Sequence, residues 1–381
     1  MTPHEKHMML RQYDHLTEAE RYALEFVSFC EQPISRADLL AELVELLPAL
    51  LNTPKMLRKD VDRIYTTLRD SNMLIAAHQG SAVTGTIFER AIRDAILSGR
   101  NQIYKRSTRA RTETSAWHWY GHSQLKRLHL RFRNAFYQHN EVEMHHASDL
   151  YVKAASDTAT DVSLPLAQIL SNTDDFSFLA NGPADFFIAR LPEALEQTQR
   201  HHQQTVSFLP RLTEFIFSCP HPDDIQNPTL KDSLLDLMLL LTGECWLCGQ
   251  MDTAPALIER MTGYHQTAGN AVVAFNRRET EKAVSLFESA LLVMRKVKRR
   301  KRQFFNNVIG QIFIYACLRH DTPQTLLRLK ELLEDIGTRT NRSQYQDQFG
   351  EFNSLVKARL YPHEPADFRI RKLWGNHIDD L

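Results

Sequence analysis

The sequence has few of the residues that interrupt or cross-link a chain. Thirteen glycines and fifteen prolines among 381 residues exclude collagen-like and low-complexity tracts. Five cysteines, an odd number scattered through apolar segments, fit a reducing compartment better than a disulfide framework. With 43% apolar and 24% charged residues, the composition is that of a globular chain. We therefore expect a soluble protein of the cytoplasm.

Long apolar runs are also missing. The leucine-rich stretch of residues 234–241, which contains Asp236, is far shorter than the roughly 20 residues that a helix needs to cross a bilayer. The first ten residues carry two histidines, a glutamate and a lysine, and no apolar core follows them, so they do not form a secretory signal. We expect no membrane partner.

Motifs of phosphate chemistry and of hydrolases are absent from the sequence. No GxxxxGK[ST] or GxGxxG occurs, so this chain by itself is not a P-loop motor. Residues 121–123 are only superficially similar to the GxSxG of hydrolases. We expect no enzyme activity, no catalytic residue, no cofactor and no small-molecule substrate.

Two short motifs raise the question of metal or thiol chemistry. Cys245 and Cys248 form a CxxC, but zinc needs two more ligands at suitable spacing, and the sequence offers none. We interpret this pair as core thiols within a leucine-rich helix. His118 and His122 have the i, i+4 spacing of a helical metal pair without the glutamate of HExxH. We predict no metal ligand; a metal or thiol enzyme is a remote alternative.

Charge is balanced in total but not along the chain. The 46 basic and 46 acidic residues give a net charge of zero. Yet residues 90–133 contain eleven Arg and Lys against Asp94 and Glu113, and residues 295–302 read RKVKRRKR. Such local excess bears on a nucleic-acid partner more directly than the total charge does.

Three amphipathic helices are predicted near the N-terminus. Thr17 and Glu20 form a capping box before the first helix, and Ser35 caps a second one that precedes Pro48. Apolar residues of the third helix recur at steps of four, three and four. They are Leu57, Val61, Ile64 and Leu68.

The pattern then changes to that of a β-hairpin. Residues 73–75 predict one strand, Gly80 to Gly85 a turn, and residues 86–88 a second strand, followed by a helix up to about Ile96. Three helices, a hairpin and a helix in this order resemble the winged helix-turn-helix domain over residues 14–98. The resemblance implies that the third helix would enter a DNA groove.

Helical patterns fill the rest of the chain from about Gln124. In the best unit, residues 267–294, Ala283, Phe287 and Ala290 have the spacing of the tetratricopeptide repeat. Ala271 and Ala274 lie on the partner helix. We expect a mainly α fold, a winged helix-turn-helix with a short β-hairpin followed by an α-helical solenoid with tetratricopeptide-like units. The expected domains are 1–98, a basic connecting segment 99–150, and the solenoid 151–381.

The residues that fit nucleic-acid binding are cations together with two tryptophans. Cations neutralise phosphates, and aromatic faces stack on bases. The alternative is that the tryptophans are core anchors and that the cations pair with acids. Asp60, Asp62 and Asp70 on the third helix also lower the expectation of sequence-specific reading. The candidates are Arg58, Lys59, Arg63, Lys105, Arg106, Arg109, Arg111, Trp117, Trp119, Lys126, Arg127, Arg131, Arg133, Lys298, Arg299, Arg300 and Lys301.

Residues 279–314 contain EKAVSLFESALLVMRKVKRRKRQFFNNVIGQIFI, a repeat helix that ends in a basic turn before a new apolar helix. This segment resembles the N-terminal noncatalytic region of bacterial Swi/Snf-type (DEAD/DEAH) helicases. The resemblance implies that an ATPase motor follows Leu381 in a longer protein.

Two functions remain open on these grounds. The first is a noncatalytic scaffold that binds nucleic acid, with DNA expected, or protein, and that regulates a helicase-type ATPase in the same or a partner chain. The alternative is a helix-turn-helix transcriptional regulator whose tetratricopeptide-like solenoid senses a peptide or protein.

Overall fold

Helices make up most of the computed structural model, and the described residues form one two-stranded antiparallel sheet. The structure describes residues 3–30, 33–77, 80–83, 85–104, 120–158, 164–173, 175–200, 208–299, 303–337 and 351–361. The mainly α prediction is confirmed at this level. Within these residues, no helix is both long and apolar enough to span a bilayer.

The chain divides into two compact units, Met1–Phe186 and Phe187–Leu381. The domain boundaries expected at residues 98 and 150 both lie inside the first unit. Its elements are α1 (Pro3–Asp14), α2 (Glu18–Phe29), α3 (Arg36–Leu51), α4 (Arg58–Asp70), β1 (Leu74–Ala77), β2 (Gly80–Val83), α5 (Gly85–Leu97), α6 (Tyr120–Tyr137), α7 (Glu141–Thr158), α8 (Pro165–Asn172), α9 (Ser177–Asn181) and the start of α10 (Ala184–Arg200).

The second unit is helical throughout its described residues. After α10, its elements are α11 (Leu209–Ser218), a 3-10 turn (Pro222–Asp224), α12 (Pro228–Leu247), a second 3-10 turn (Met251–Thr253), α13 (Ala254–Glu259), α14 (Gly263–Asn276), α15 (Thr280–Val297), α16 (Val308–His320), α17 (Pro323–Gly337) and α18 (Glu351–Leu360).

The predicted caps of α2 and α3 are confirmed. The Glu20 amide donates to the Thr17 hydroxyl, and the Thr17 amide donates to the Glu20 carboxylate at 2.8 Å, so both halves of the capping box are present. The Ser35 hydroxyl accepts a hydrogen bond from the Asp38 amide. These side chains satisfy amides that a helix N-terminus otherwise leaves unpaired.

The third helix begins one residue later than its apolar pattern suggests. Leu57 precedes α4 and is 58% exposed, while Val61, Tyr65 and Leu68 form the buried face. Tyr65 therefore takes the core position that the pattern assigned to Ile64. A tyrosine can do so because its hydroxyl has a partner, the Ser81 hydroxyl at 3.2 Å.

The predicted hairpin exists, but its second strand was placed wrongly. β1 pairs with β2 from Leu74 opposite Val83 to Ala77 opposite Gly80, whereas residues 86–88 belong to α5. Gly80 is a strand residue and not the start of a turn. A Cβ atom at position 80 would lie 2.3 Å from the carbonyl oxygen of Ile34, so glycine allows this close approach.

Ile34 forms an isolated antiparallel bridge with Ser81 of β2. Its amide donates to the carbonyl of Ser81 at 3.2 Å, and the Ser81 amide donates back at 2.8 Å. The connection between α2 and α3 is thereby fixed to β2. α4, which follows α3, packs against both α3 and β1.

The N-terminal helix α1 was not predicted from the sequence. Among the side chains of α1 that the structure describes, the buried apolar ones are Leu10 and Tyr13, which are too few for a clear helical period. Polar contacts hold it instead: the Lys6 ammonium donates to the carbonyl of Ser171 at 3.2 Å, and Tyr13 donates to Asp94 at 3.3 Å.

Small residues bring α14 and α15 of the second unit together. Ala271 and Ala274 on α14 and Ala283 and Ala290 on α15 are all at most 2% exposed, as the repeat spacing predicted for buried positions. Phe287 is also fully buried, and its ring centroid lies 5.2 Å from that of Phe313 on α16. The three helices therefore share one core.

Candidate functional site

Three of the predicted cations lie on the exposed surface of α4. Arg58, Lys59 and Arg63 all face solvent, and Arg69 follows them on the same helix. Among the described residues, none of these four side chains has a hydrogen bond or an ion pair. Their charges are therefore free to meet a ligand. Arg58 and Lys59 also occupy the first turn of α4, at the positive end of the helix dipole.

An open cavity of about 560 Å³ lies between the first turns of α3 and α4. Three cations and one carboxylate line it, so its local charge is positive. The methylene and methyl groups of Ala37 and Leu40 form its apolar part. The lining residues are Arg36, Ala37, Leu40, Arg58, Lys59 and Asp62.

Arg36 connects the two helices at this cavity. Its Nη2 and Nε atoms donate to Oδ1 of Asp62 at 2.6 and 3.0 Å. The same guanidinium lies 5.3 Å from the centroid of the Tyr65 ring, within the range of a cation–π contact. The hydrogen bond with Asp62 raises the pKa of Arg36, so its positive charge is secure. The charge of Asp62, one of the acids that lowered the expectation of sequence-specific reading, is thus offset by a neighbouring arginine.

Arg36 was missed at the sequence level. It stands alone at the start of α3, and no basic run marks it. Only the packing of α3 on α4 places it beside Asp62, which is 26 positions further along the chain. With Arg36 included, five cations surround the exposed side of α4 against Asp60, Asp62 and Asp70.

Part of the basic aromatic segment lies outside the described residues. This holds for Lys105, Arg106, Arg109, Arg111, Trp117 and Trp119, and for His118. Tyr104, which stands at its start, is fully buried and donates to the Glu25 carboxylate at 2.8 Å. Arg100 donates to the same carboxylate at 2.6 and 2.8 Å. Tyr104 is therefore a buried core residue of the first unit.

The cations of this segment that the structure describes lie on α6 and differ in exposure. Arg127 is exposed, and Lys126 is half-buried with its ammonium 5.6 Å from the centroid of Phe88. Arg131 pairs with the Glu143 carboxylate across α6 and α7. Lys126 and Arg131 therefore make contacts within the protein, so the segment presents less free charge than its sequence suggests.

Arg133 is buried in a polar network of the first unit. Only 1% of its side chain is exposed, and it donates to Glu89 at 2.8 Å. Tyr137 donates to the same carboxylate at 2.7 Å. Arg133 also donates to Nδ1 of His129, so the other ring nitrogen carries the proton and donates to the Tyr151 hydroxyl at 2.9 Å. The guanidinium is satisfied inside the unit and does not reach the surface.

The RKVKRRKR tract begins in the last turn of α15, in the second unit, and two of its cations have internal partners. Lys298 pairs with Asp232 at 2.8 Å and lies 5.9 Å from the Tyr264 ring centroid. Arg295 donates to the carbonyl of Gln303 at 2.9 Å. Lys296 and Arg299 are exposed. Arg300 and Lys301 lie outside the described residues.

The CxxC lies at the C-terminal end of α12. Cys245 is buried, its sulfur 3.2 Å from the Thr253 hydroxyl, and burial raises the pKa of its thiol. Cys248 is half-buried and donates to Glu244 at 3.6 Å. Within the described part of the chain, no group of three or more histidine, cysteine, aspartate or glutamate side chains could hold a metal ion. The core interpretation holds for Cys245.

Among the predicted cations that the structure describes, Arg58, Lys59 and Arg63 form the free cluster, and the packing of α3 adds Arg36 beside them. Comparisons of this chain with protein-family models, with curated proteins and with solved structures find no match.

Proposed function

We propose that this chain is a noncatalytic nucleic-acid-binding scaffold whose first unit binds duplex DNA through the exposed side of α3 and α4. The observation that carries the proposal is the open cavity lined by Arg36, Arg58 and Lys59, beside the free cations Arg63 and Arg69. Phosphate contacts supply most of the affinity of such proteins and need exposed Arg and Lys.

The order of elements supports reading this region as a winged helix-turn-helix domain. α2 is followed by the bridge at Ile34, then by α3, α4 and the hairpin β1–β2, which matches three helices with a small sheet as wing. In helix-turn-helix proteins, one helix crosses the DNA backbone and the next enters the major groove with its N-terminal residues near the bases. α3 and α4 would take these two roles.

The proposal can be tested by titrating a labelled duplex with the full chain. Measured between about 50 and 200 mM salt, log Kd against log salt gives a slope of about 0.9 per phosphate contact. We expect the double variant Arg58→Ala, Lys59→Ala to bind more weakly and to reduce the slope by about 2. The control variant, Lys153→Ala with Arg277→Ala, removes two exposed cations elsewhere in the chain. It should leave both the affinity and the salt slope unchanged. An unchanged slope in the first variant would overturn the proposal.

A transcriptional regulator is the second candidate. Arg63 and Thr67 lie exposed on α4 opposite its buried face, and arginine is the residue that most often reads guanine in the major groove. Competition with random duplex separates the two functions: a regulator prefers one sequence by about a thousandfold or more, whereas a scaffold does not.

Regulation of a helicase-type ATPase is supported by the resemblance of residues 279–314 alone. Its test is the native protein, purified from its source and analysed by mass spectrometry. A motor domain in the same polypeptide, or a copurifying helicase whose ATPase rate changes when this chain is added, is the expected result. A native protein with no motor domain and no such copurifying helicase would overturn this part of the proposal. The proposed DNA binding would be unaffected by that result.

A further inference from the structure

The last two turns of α15 carry an exposed apolar strip. Leu292 is 70% exposed, Val297 64% and Val293 39%. The opposite side of the same helix is fully used in packing, since Ala283, Phe287, Ala290, Leu291 and Met294 are buried. Within the described residues nothing covers Leu292, Val293 and Val297, which we call the α15 strip. Clustered exposed aliphatic side chains of this kind mark contact sites more often than isolated ones do.

Positive charge borders the α15 strip. Lys296 lies one turn after Leu292, and Arg299 follows the helix end; both are exposed and neither has an ion pair among the described residues. The two other described cations of this tract point elsewhere, because Lys298 is held by Asp232 and Arg295 by the Gln303 carbonyl. In this one basic tract, Lys298 and Arg295 therefore have partners within the protein, whereas Lys296 and Arg299 stay available beside the strip.

Glu288, an acid on the same helix, is already paired and does not cancel this charge. Glu288 lies one turn before Leu292, and its carboxylate accepts a hydrogen bond from Arg328 of α17 at 3.1 Å. A partner with complementary charge would therefore carry carboxylates that meet Lys296 and Arg299. It would also carry apolar side chains that cover Leu292 and Val297.

We propose that the α15 strip with Lys296 and Arg299 is a docking surface for an acidic amphipathic helix of a partner protein. A nucleic acid fits less well, since phosphates use only the cations and bases stack on aromatic rings, whereas the strip is aliphatic. A membrane surface also fits less well, because interfacial helices bury a longer apolar face with aromatic residues. An amphipathic helix offers apolar anchors at i, i+3 and i+4 with carboxylates at their sides. The inference goes beyond the proposed DNA binding and does not rest on it.

The test selects ligands from a displayed library of helical peptides, using the immobilised full chain. In parallel, the same library is selected on the double variant Leu292→Ser, Val297→Ser. Both positions are exposed, so this variant should fold, and its thermal melting curve checks that it does. We expect peptides with apolar residues at helical spacing and an excess of Asp and Glu on the original chain, and their loss on the variant.

The strongest enriched peptide is then synthesised and its Kd measured by fluorescence anisotropy. Each of the double variants Leu292→Ser, Val297→Ser and Lys296→Glu, Arg299→Glu should weaken binding about tenfold or more. Val142→Ser, at a valine of the first unit that is 81% exposed, is the matched control and should bind like the original chain.

Equal enrichment on both chains, enrichment of basic or uncharged peptides, or no enrichment at all would overturn the docking proposal. Displacement of the peptide by duplex DNA that persists in the Arg58→Ala, Lys59→Ala variant would assign the surface to nucleic acid instead. The DNA-binding proposal is tested with the variant of Arg58 and Lys59, and the docking proposal with variants of α15. Failure of one proposal is therefore distinguishable from failure of the other.

Discussion

Arg36 and Asp62 join α3 to α4 through two hydrogen bonds to one carboxylate oxygen, at 2.6 and 3.0 Å. The pair lies at the cavity where we propose that DNA phosphates bind. A phosphate arriving there competes with Asp62 for the same guanidinium. Asp62 therefore positions Arg36 but also lowers the positive charge that a ligand meets.

Substitutions at these two positions should change DNA affinity in opposite directions. Arg36→Ala removes one phosphate contact, so Kd should rise several-fold at low salt and the salt slope should fall by about 0.9. Asp62→Ala removes a negative charge and releases Arg36, so Kd should fall. Anisotropy titrations of both variants at one salt concentration provide the comparison. Affinity changes of the same sign in both would contradict this arrangement. Their melting temperatures should stay close to that of the original chain, since exposed ion pairs contribute little to stability.

Replacing Arg133 should destabilise the first unit. Arg133→Met leaves the Glu89 carboxylate buried without its cation, which in buried pairs costs about 3–5 kcal/mol of unfolding free energy. Urea denaturation followed by circular dichroism measures the loss. Arg131→Met is the matched control on the same helix: its pair with Glu143 is solvent-exposed, so we expect less than about 1 kcal/mol. Equal effects of the two variants would mean that Arg133 is not a buried structural cation.

Glu244 should make the stability of the second unit depend on pH. The side chain is 2% exposed, and burial raises its pKa to about 7. Between the usual glutamate pKa and about 7, the folded chain binds more protons than the unfolded chain, so the contribution of Glu244 falls as pH rises through this window. It is lowest above pH 7.

The variant Glu244→Gln tests this dependence. Its melting temperature should exceed that of the original chain at pH 8 by an amount corresponding to roughly 3 kcal/mol. At pH 4 the difference should be close to zero, because Glu244 is then protonated in both states. Gln199, which donates to Glu244 at 2.9 Å, can keep its hydrogen bond to the new amide oxygen. A difference that is independent of pH would show that Glu244 titrates normally.

The core shared by α14, α15 and α16 should be sensitive at Phe287. Phe287→Ala leaves a cavity beside Phe313 and should cost about 3–5 kcal/mol of unfolding free energy. Leu292→Ala on the same helix removes a side chain that is 70% exposed, so its cost should stay below about 1 kcal/mol. Denaturant unfolding of both variants measures the contrast. A large loss at Leu292 would indicate that its side chain is packed and would also contradict the α15 strip.

Local signals in the sequence predicted local structure. Thr17 with Glu20 and Ser35 specified two helix starts, because a cap depends only on residues within one turn. The alanines of α14 and α15 likewise revealed a close helix pair. The hairpin was shifted because Gly80 has the chemistry of a turn residue, while its actual requirement comes from the carbonyl of Ile34, which no local pattern shows.

The candidate site was predictable only in part, for a similar reason. Arg131 and Arg133 stand two positions apart in one basic run, yet one is on the surface and the other is buried against Glu89, 44 positions away. The spacing of the two arginines predicts which face of the helix each one occupies. It does not predict which acidic residue of another helix pairs with each of them. Arg36 was missed for the converse reason, since it becomes part of a cationic cluster only when α3 packs on α4.

The reciprocal hydrogen bonds between Ile34 and Ser81 have a consequence for hydrogen–deuterium exchange. Each amide is bonded to the carbonyl of the other residue, and the loop between them contains α3, α4 and β1. Fraying of a single helix end does not release either proton. Once each exchange rate is corrected for the intrinsic rate of its amide, the two amides should therefore give one common free energy of opening, that of the segment between them.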